Sequence, residues 1–192
     1  MWRTRTRAAP GEGSARLGVM IVGEAPGRQE DLLGRPFVGR AGRLLDELLA
    51  SVGLRRDDLY VTNVIKDRAT TPTTPAHDRP PTAAEIAACA SWLREEMDVV
   101  RPRIVVTLGR FALASFLPHL QIKDVHGRPQ RWGDIAVLPL YHPSYALHSP
   151  GVRPMLFADI RALAPLLAAR RAKTGSVNRG RRSSRQERPA PR

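Results

Sequence analysis

The 192-residue sequence holds a single cysteine, Cys89, and that scarcity removes two classes of protein at once. One thiol forms no intrachain disulfide framework, and it cannot by itself hold a structural zinc ion. Long hydrophobic runs are missing too. The longest, "IAVLPL" and "LAPLLAA", fall well short of the ~18 apolar residues of a membrane span, and no apolar stretch follows the Arg-rich start to make a secretion signal. A soluble cytoplasmic protein with no membrane partner is expected. Phosphate-binding glycine motifs fail in detail: GxGxxG is absent, and "GRPFVGRA" (34–41) puts Arg40 and Ala41 where a P-loop needs its lysine and its metal-binding hydroxyl. Nucleoside triphosphate hydrolysis is disfavoured.

What is present is charge, and its position decides its meaning. The formal net charge is +13, of which residues 170–192 carry +8 and residues 1–16 carry +3, so the stretch between is close to neutral. The tail "RRAKTGSVNRGRRSSRQERPAPR" has almost nothing apolar to bury, and it reads as a disordered basic segment able to contact a phosphate backbone. A bias toward arginine explains the same charge, since only three of the 31 basic residues are lysine. Residues 17–169 are 150-odd positions long, enough for one core, and a single domain is expected there between the two basic ends.

Within it, β-branched apolar runs alternate with helical ones. "LGVMIVG" (17–23), "LYVTNVI" (59–65), "RIVVTLG" (103–109) and "DIAVLPLY" (134–141) read as strands covered on both faces. "AGRLLDELLASVG" places Leu44, Leu45, Leu48, Leu49 and Val52 on one helical face and ends at Gly53. "TAAEIAACASWLREEMDVV" opens with Thr82 and Glu85 at capping-box spacing, with Ile86, Cys89, Trp92, Leu93 and Met97 as its apolar stripe. A last helix covers roughly 154–169. The pattern predicts a three-layer αβα sandwich around a central four-stranded, mainly parallel sheet, with ligand chemistry beyond the strand ends. Those ends deliver Gly23 to Gly27, Asn63, Gly109, and Tyr141–His142–Pro143 to one cleft.

Three of these segments, "GEAPGRQEDLLGRPFVGRAGRLLDELL", "VTNVIK" and "YHPSYAL", in this order and at these strand ends, resemble the motifs of family 4 uracil-DNA glycosylases over roughly residues 4–168. The resemblance implies an enzyme that extrudes a deoxyuridine from DNA and hydrolyses its N-glycosidic bond, leaving an abasic site. It implies that Phe37 stacks on the base, against the plainer reading of a core phenylalanine. Asn63 would read the O4 and N3–H edge, against the plainer reading of a strand-ending Asn bonded to its own backbone. His142 would donate to O2 as negative charge gathers there. Gly23 and the backbone of Ala25 to Gly27 would line the base or a phosphate. Ser144, Leu147 and Arg40 are the expected DNA contacts, with Leu147 a wedge into the vacated stack. Ala25 stands where related glycosylase families place a water-orienting Asp, which leaves Glu24, Glu30 and Asp31 to position water, Glu24 first, while Glu30 and Asp31 serve equally as caps of the next turn.

The departures are local. Family 4 members carry a 4Fe–4S cluster on four cysteines, and here only Cys89 matches; Asp67 stands at another ligand position, and the chain begins past the first pair. No cluster or other cofactor is expected, Cys89 reads as a small buried apolar residue, and the Pro/Thr-rich stretch 67–81 reads as a mobile loop. Uracil-containing DNA is the expected partner of a monomer with no obligate protein partner. A non-catalytic or weakly catalytic binder of uracil-containing or damaged DNA on the same scaffold, and a small-molecule nucleotide-binding protein, remain as alternatives to the enzyme.

Overall fold

Five consecutive residues of β2 (Val19–Gly23) and of β6 (Ile104–Leu108) are buried without exception, which places these two strands at the centre of the sheet. The structure, a computed structural model, describes residues 5–71 and 74–169. In chain order the strands are β1 (Glu12–Gly13), β2, β3 (Tyr60–Asn63), β4 (Thr70–Thr71), β5 (Thr74–Asp78), β6, β7 (Gln130–Trp132) and β8 (Ile135–Leu140). The helices are α1 (Arg28–Leu33), α2 (Arg40–Ser51), α3 (Ala83–Val100), α4 (Arg110–Ala114), α5 (Ile122–Val125), α6 (Pro143–His148) and α7 (Val152–Asp159).

The main sheet has the order β1-β3-β2-β6-β8-β7. Its four inner strands are parallel, in register Gly23↔Asn63, Val22↔Thr107 and Leu108↔Leu140 where they approach the cleft. These are the four strands expected from sequence, each trimmed by two or three residues. The expected count is corrected from four to six by β1 and β7, antiparallel edge strands of two and three residues that are too short to leave a period-two pattern. Residues 9–13, read from sequence as part of a basic end segment, are therefore built into the sheet edge, with Ala9 fully buried and its N–H bonded to the Lys66 carbonyl at 2.8 Å.

Alternation along each strand sorts the core into two layers. Val19, Ile21, Val106 and Leu138 pack with Leu44, Leu45, Leu48 and Leu156 on one face, and Met20, Val22, Val105 and Val137 pack with Cys89, Leu93 and Leu113 on the other. That is the αβα sandwich. The α3 capping box is present, with Thr82 N–H to Glu85 Oε2 at 2.8 Å and Glu85 N–H to Thr82 Oγ1 at 3.3 Å. Trp92 departs from its expected stripe and is 57% exposed. Trp92 lies at the margin of the stripe, outside the narrow sector of α3 that Cys89, Leu93 and Val100 turn to the sheet. The final helix is also interrupted, by a 3₁₀ turn at Ile160–Ala162.

Within the stretch 67–81, expected as a mobile loop, Thr70–Thr71 pairs antiparallel with Thr74–Asp78 as β4 and β5. Arg68 Nε binds Asp78 Oδ1, Arg79 Nε binds the Thr70 carbonyl oxygen at 3.1 Å, and Arg79 grips both Glu85 oxygens at 2.6 and 2.7 Å. Charge pairs, which have no period in sequence, join the two ends of this hairpin and tie it to α3.

Candidate functional site

From β2 the chain moves first to β3 on one side and later to β6 on the other, so the sheet changes winding direction between β2 and β6. Ligands of open parallel sheets bind at such a switch, outside the carboxyl ends. A cleft of about 380 Å3 lies here, lined by Glu24 to Glu30, Phe37, Arg40, Asn63, His142 and Ser144. Three strand ends therefore meet around one cavity, as the sequence motifs require.

Its floor depends on missing side chains. A Cβ on Gly23 would collide with both Asn63 Oδ1 and the Phe37 ring, and one on Gly42 would collide with the Phe37 carbonyl. Phe37 itself holds φ +54, a left-handed conformation uncommon outside glycine, and is buried. Its loop is clamped from both sides. Glu30 Oε1 accepts from the Gly39 N–H at 2.7 Å, and Arg56 donates to the carbonyl oxygens of Pro36 at 3.1 Å and Gly42 at 3.2 Å. At Gly109 (φ +85) a side chain would press on His142 Cβ at 3.2 Å, so a bare backbone at the end of β6 lets the β8 histidine lean across toward β2.

His142 is the N-cap of α6, with Pro143 at the first helical position. Its Nδ1 accepts from the Ser144 backbone N–H at 3.2 Å and lies 2.7 Å from Ser144 Oγ. A ring nitrogen that accepts from a backbone N–H carries no proton, so the neutral ring holds its proton on Nε2. Desolvation pushes this histidine down to about 4, so the ring is neutral at pH 7. Nε2 is buried and has no partner among the described residues. The Phe37 and His142 rings lie 5.9 Å apart, tilted by 30°. Asn63 Oδ1 is likewise buried and unpartnered. The cleft thus presents one unmatched donor and one unmatched acceptor beside an aromatic ring.

The acidic residues divide. Glu24 lines the cleft half-buried, its carboxyl raised by desolvation against the opposing pull of Arg110. Glu30 borders the cleft but is engaged with Gly39, and Asp31 lies outside it, accepting from the backbone N–H groups of Thr6 at 2.7 Å and Arg7 at 3.3 Å. Asp31 therefore ties down the N-terminal segment rather than facing the cavity. Gly27 caps α1, and Ala25 and Arg40 line the cleft with Arg40 exposed. Leu147 does not line it; this residue packs half-buried against the core, while Tyr145 on the same helix is 49% exposed with its ring 5.7 Å from Tyr141. Sequence reasoning missed Asp78 and Arg79, which the β4–β5 hairpin brings to the rim, because the hairpin itself left no signal. Residues 170–192, expected to form the basic tail, lie outside the described residues.

The 4Fe–4S cluster that the motifs imply does not fit these residues. Cys89, the sole cysteine, is buried among Val22, Ile65, Leu93 and Val105, and Asp67 is paired with Arg5. No group of three or more His, Cys, Asp or Glu is placed to hold a metal ion among the described residues, and one thiolate cannot replace four.

The model of the uracil DNA glycosylase superfamily matches residues 10–163. The type-4 uracil-DNA glycosylase of Archaeoglobus fulgidus is 41% identical, over 85% of this chain and 84% of that protein. Those of Thermotoga maritima and Sulfurisphaera tokodaii are 42% and 39% identical, over 81% and 86% of this chain and 81% and 77% of theirs. With three strand ends converging as the shared motifs demand, and relatives this similar along most of its length, the chain belongs to the uracil-DNA glycosylase superfamily, among its type-4 members.

Proposed function

We propose that this chain is a uracil-DNA glycosylase that hydrolyses the N-glycosidic bond of a flipped-out deoxyuridine, releasing uracil and leaving an abasic site. The observation that carries the reading is the pair of unmatched polar atoms in one cleft, His142 Nε2–H and Asn63 Oδ1. Uracil answers both. Its N3–H donates to Asn63 Oδ1, its O4 accepts from the Asn63 amide, and its O2 accepts from His142. Cytosine, with a bare N3 and an amino group, would leave Asn63 Oδ1 facing a lone pair, and an unpaired buried polar atom is how a site rejects a near-isostere.

The steps follow from the groups present. A flipped base enters the cleft and stacks on Phe37, whose loop is fixed by Glu30 and Arg56. As the glycosidic bond breaks, its electron pair flows onto the departing ring, and O2 turns negative against a neutral, preoriented imidazole donor. Glu24 positions the water that adds to the sugar carbon and takes up its proton. Gly23 and the turn from Ala25 to Gly27 leave room for base and phosphate. Ser144 and Arg40 contact DNA at the rim. Every one of these residues comes from the same chain, so the proposed chemistry draws on no residue of a second subunit.

His142→Ala tests the reading with a uracil-containing oligonucleotide followed by alkali cleavage. Loss of one preorganised donor lowers the single-turnover rate by about 100- to 1000-fold. An alanine variant that excises uracil at the wild-type rate removes the proposed role. A wild-type chain that retains the oligonucleotide without cutting its glycosidic bond is a binder.

A further inference from the structure

A buried lysine behind the cleft wall has no part in the chemistry above. Lys66 is 6% exposed, and its Nζ donates to Thr62 Oγ1, to the Asn63 carbonyl oxygen and to Glu96 Oε2, each at 2.7 Å, so all three ammonium protons are engaged. Glu96 Oε2 also accepts from Thr62 Oγ1 at 2.8 Å, and its Oε1 accepts from the Gly11 N–H at 3.0 Å. A buried ion pair is a poor device for stability alone, because apolar residues of similar volume often serve as well or better. Desolvation does pull the lysine pKa down here, against the attraction of Glu96. The pair is more readily explained by what it grips.

It grips the residue that reads the base. Asn63 ends β3, and with Oδ1 unpartnered the aim of the carboxamide follows from its main chain. On one side that main chain is set by β2, through the register Gly23↔Asn63 and the Val64 N–H to the Gly23 carbonyl at 2.9 Å. On the other it is set by Lys66 on the Asn63 carbonyl. Glu96 anchors the ammonium to α3 and, through Gly11, to the N-terminal segment, while Arg5 and Asp67 join the same segment to the turn after β3. We infer that Lys66, held by Glu96, is a positioning residue that sets the Asn63 carboxamide against the uracil edge, a role that rests on the glycosylase reading above.

The test uses the full chain with Lys66→Met and, should that variant fold poorly, Glu96→Gln, which keeps the lysine and weakens its anchor. Single-turnover excision and competitive inhibition by free uracil are measured at a temperature where circular dichroism shows each variant folded. Excision falls by about 10- to 100-fold, the scale of one hydrogen bond to a charged group, and free uracil inhibits correspondingly less well. Affinity for a uracil-free oligonucleotide of equal length stays within about twofold, since Lys66 is buried and contacts no phosphate. Variants that melt earlier yet excise within about threefold of wild type, with unchanged inhibition by uracil, show a purely structural brace and overturn the inference. An inactive wild-type chain overturns the glycosylase reading and this role with it, whereas an active wild type with unaffected variants overturns the positioning role alone.

Discussion

Gly23→Ala adds one methyl group and removes no functional atom, which makes it a direct test of the cleft floor. The φ of Gly23 lies outside the left-handed region, so alanine fits the backbone and only space forbids it. Its Cβ would stand 2.8 Å from Phe37 Cε2 and nearer still to Phe37 Cζ and Asn63 Oδ1. Carbon pairs rest at about 3.5–4.0 Å, so the ring must retreat by at least ~0.7 Å. Phe37 cannot retreat freely: its loop is tied through Gly39 to Glu30 and through Pro36 to Arg56, and Gly42 already meets its carbonyl. A displacement of ~1 Å at a reacting site costs about 100-fold in rate, and overpacking a tight core costs about 1–3 kcal/mol. The variant should therefore excise uracil at least ~30-fold more slowly in single-turnover assays while its thermal midpoint falls by about 3–10 °C. Excision within about threefold of wild type by a folded Gly23→Ala protein refutes the claim that Phe37, Asn63 and this backbone form one fitted surface.

Three further outcomes follow from the same geometry. The His142 pKa of about 4 lies below the ordinary 6.5, so the fold favours the neutral ring. Below pH 6.5 the unfolded chain binds a proton that the folded chain refuses; this part of the stability is present above 6.5 and is lost as pH falls toward 4, and the slope disappears in His142→Ala. For the same reason His142 leaves no step near pH 6.5 in a profile of single-turnover rate against pH, and a step there that vanishes in the alanine variant contradicts a buried neutral donor. Glu30→Ala leaves the Gly39 N–H unpaired, costing about 1–3 kcal/mol and a thermal midpoint lower by ~3–10 °C, with an excision loss below the ~1000-fold expected of a water-positioning carboxylate; a larger rate loss without destabilisation reverses the assignment between Glu30 and Glu24.

Local chemistry explains what could be read in advance. The four inner strands announced themselves because burial on both faces demands unbroken apolar runs, and α3 announced its start because Thr82 and Glu85 satisfy free helix-end N–H groups that only such side chains can reach. Phe37, Asn63 and His142 stood out through the motifs that resemble family 4 glycosylases, and the structure brings all three to one cleft because each sits at a strand end or in a turn marked by glycine or proline. Trp92 was misplaced because it lies at the margin of its helical stripe, where a periodic pattern cannot decide which of two neighbours turns inward.

The sequence by itself determined the parallel core, the strand ends that line the cleft, and the presence of only one thiol, Cys89, among these 192 residues, because each follows from residue type and short-range spacing. Only the tertiary structure decided that β1 and β7 extend the sheet, that β4 and β5 pair, that Leu147 packs against the core, and that Lys66 joins the Asn63 carbonyl to Glu96. Several of those outcomes rest on partners far apart in sequence, as with Gly11 and Glu96, 85 residues apart, and such pairings leave no period for a local reading to find.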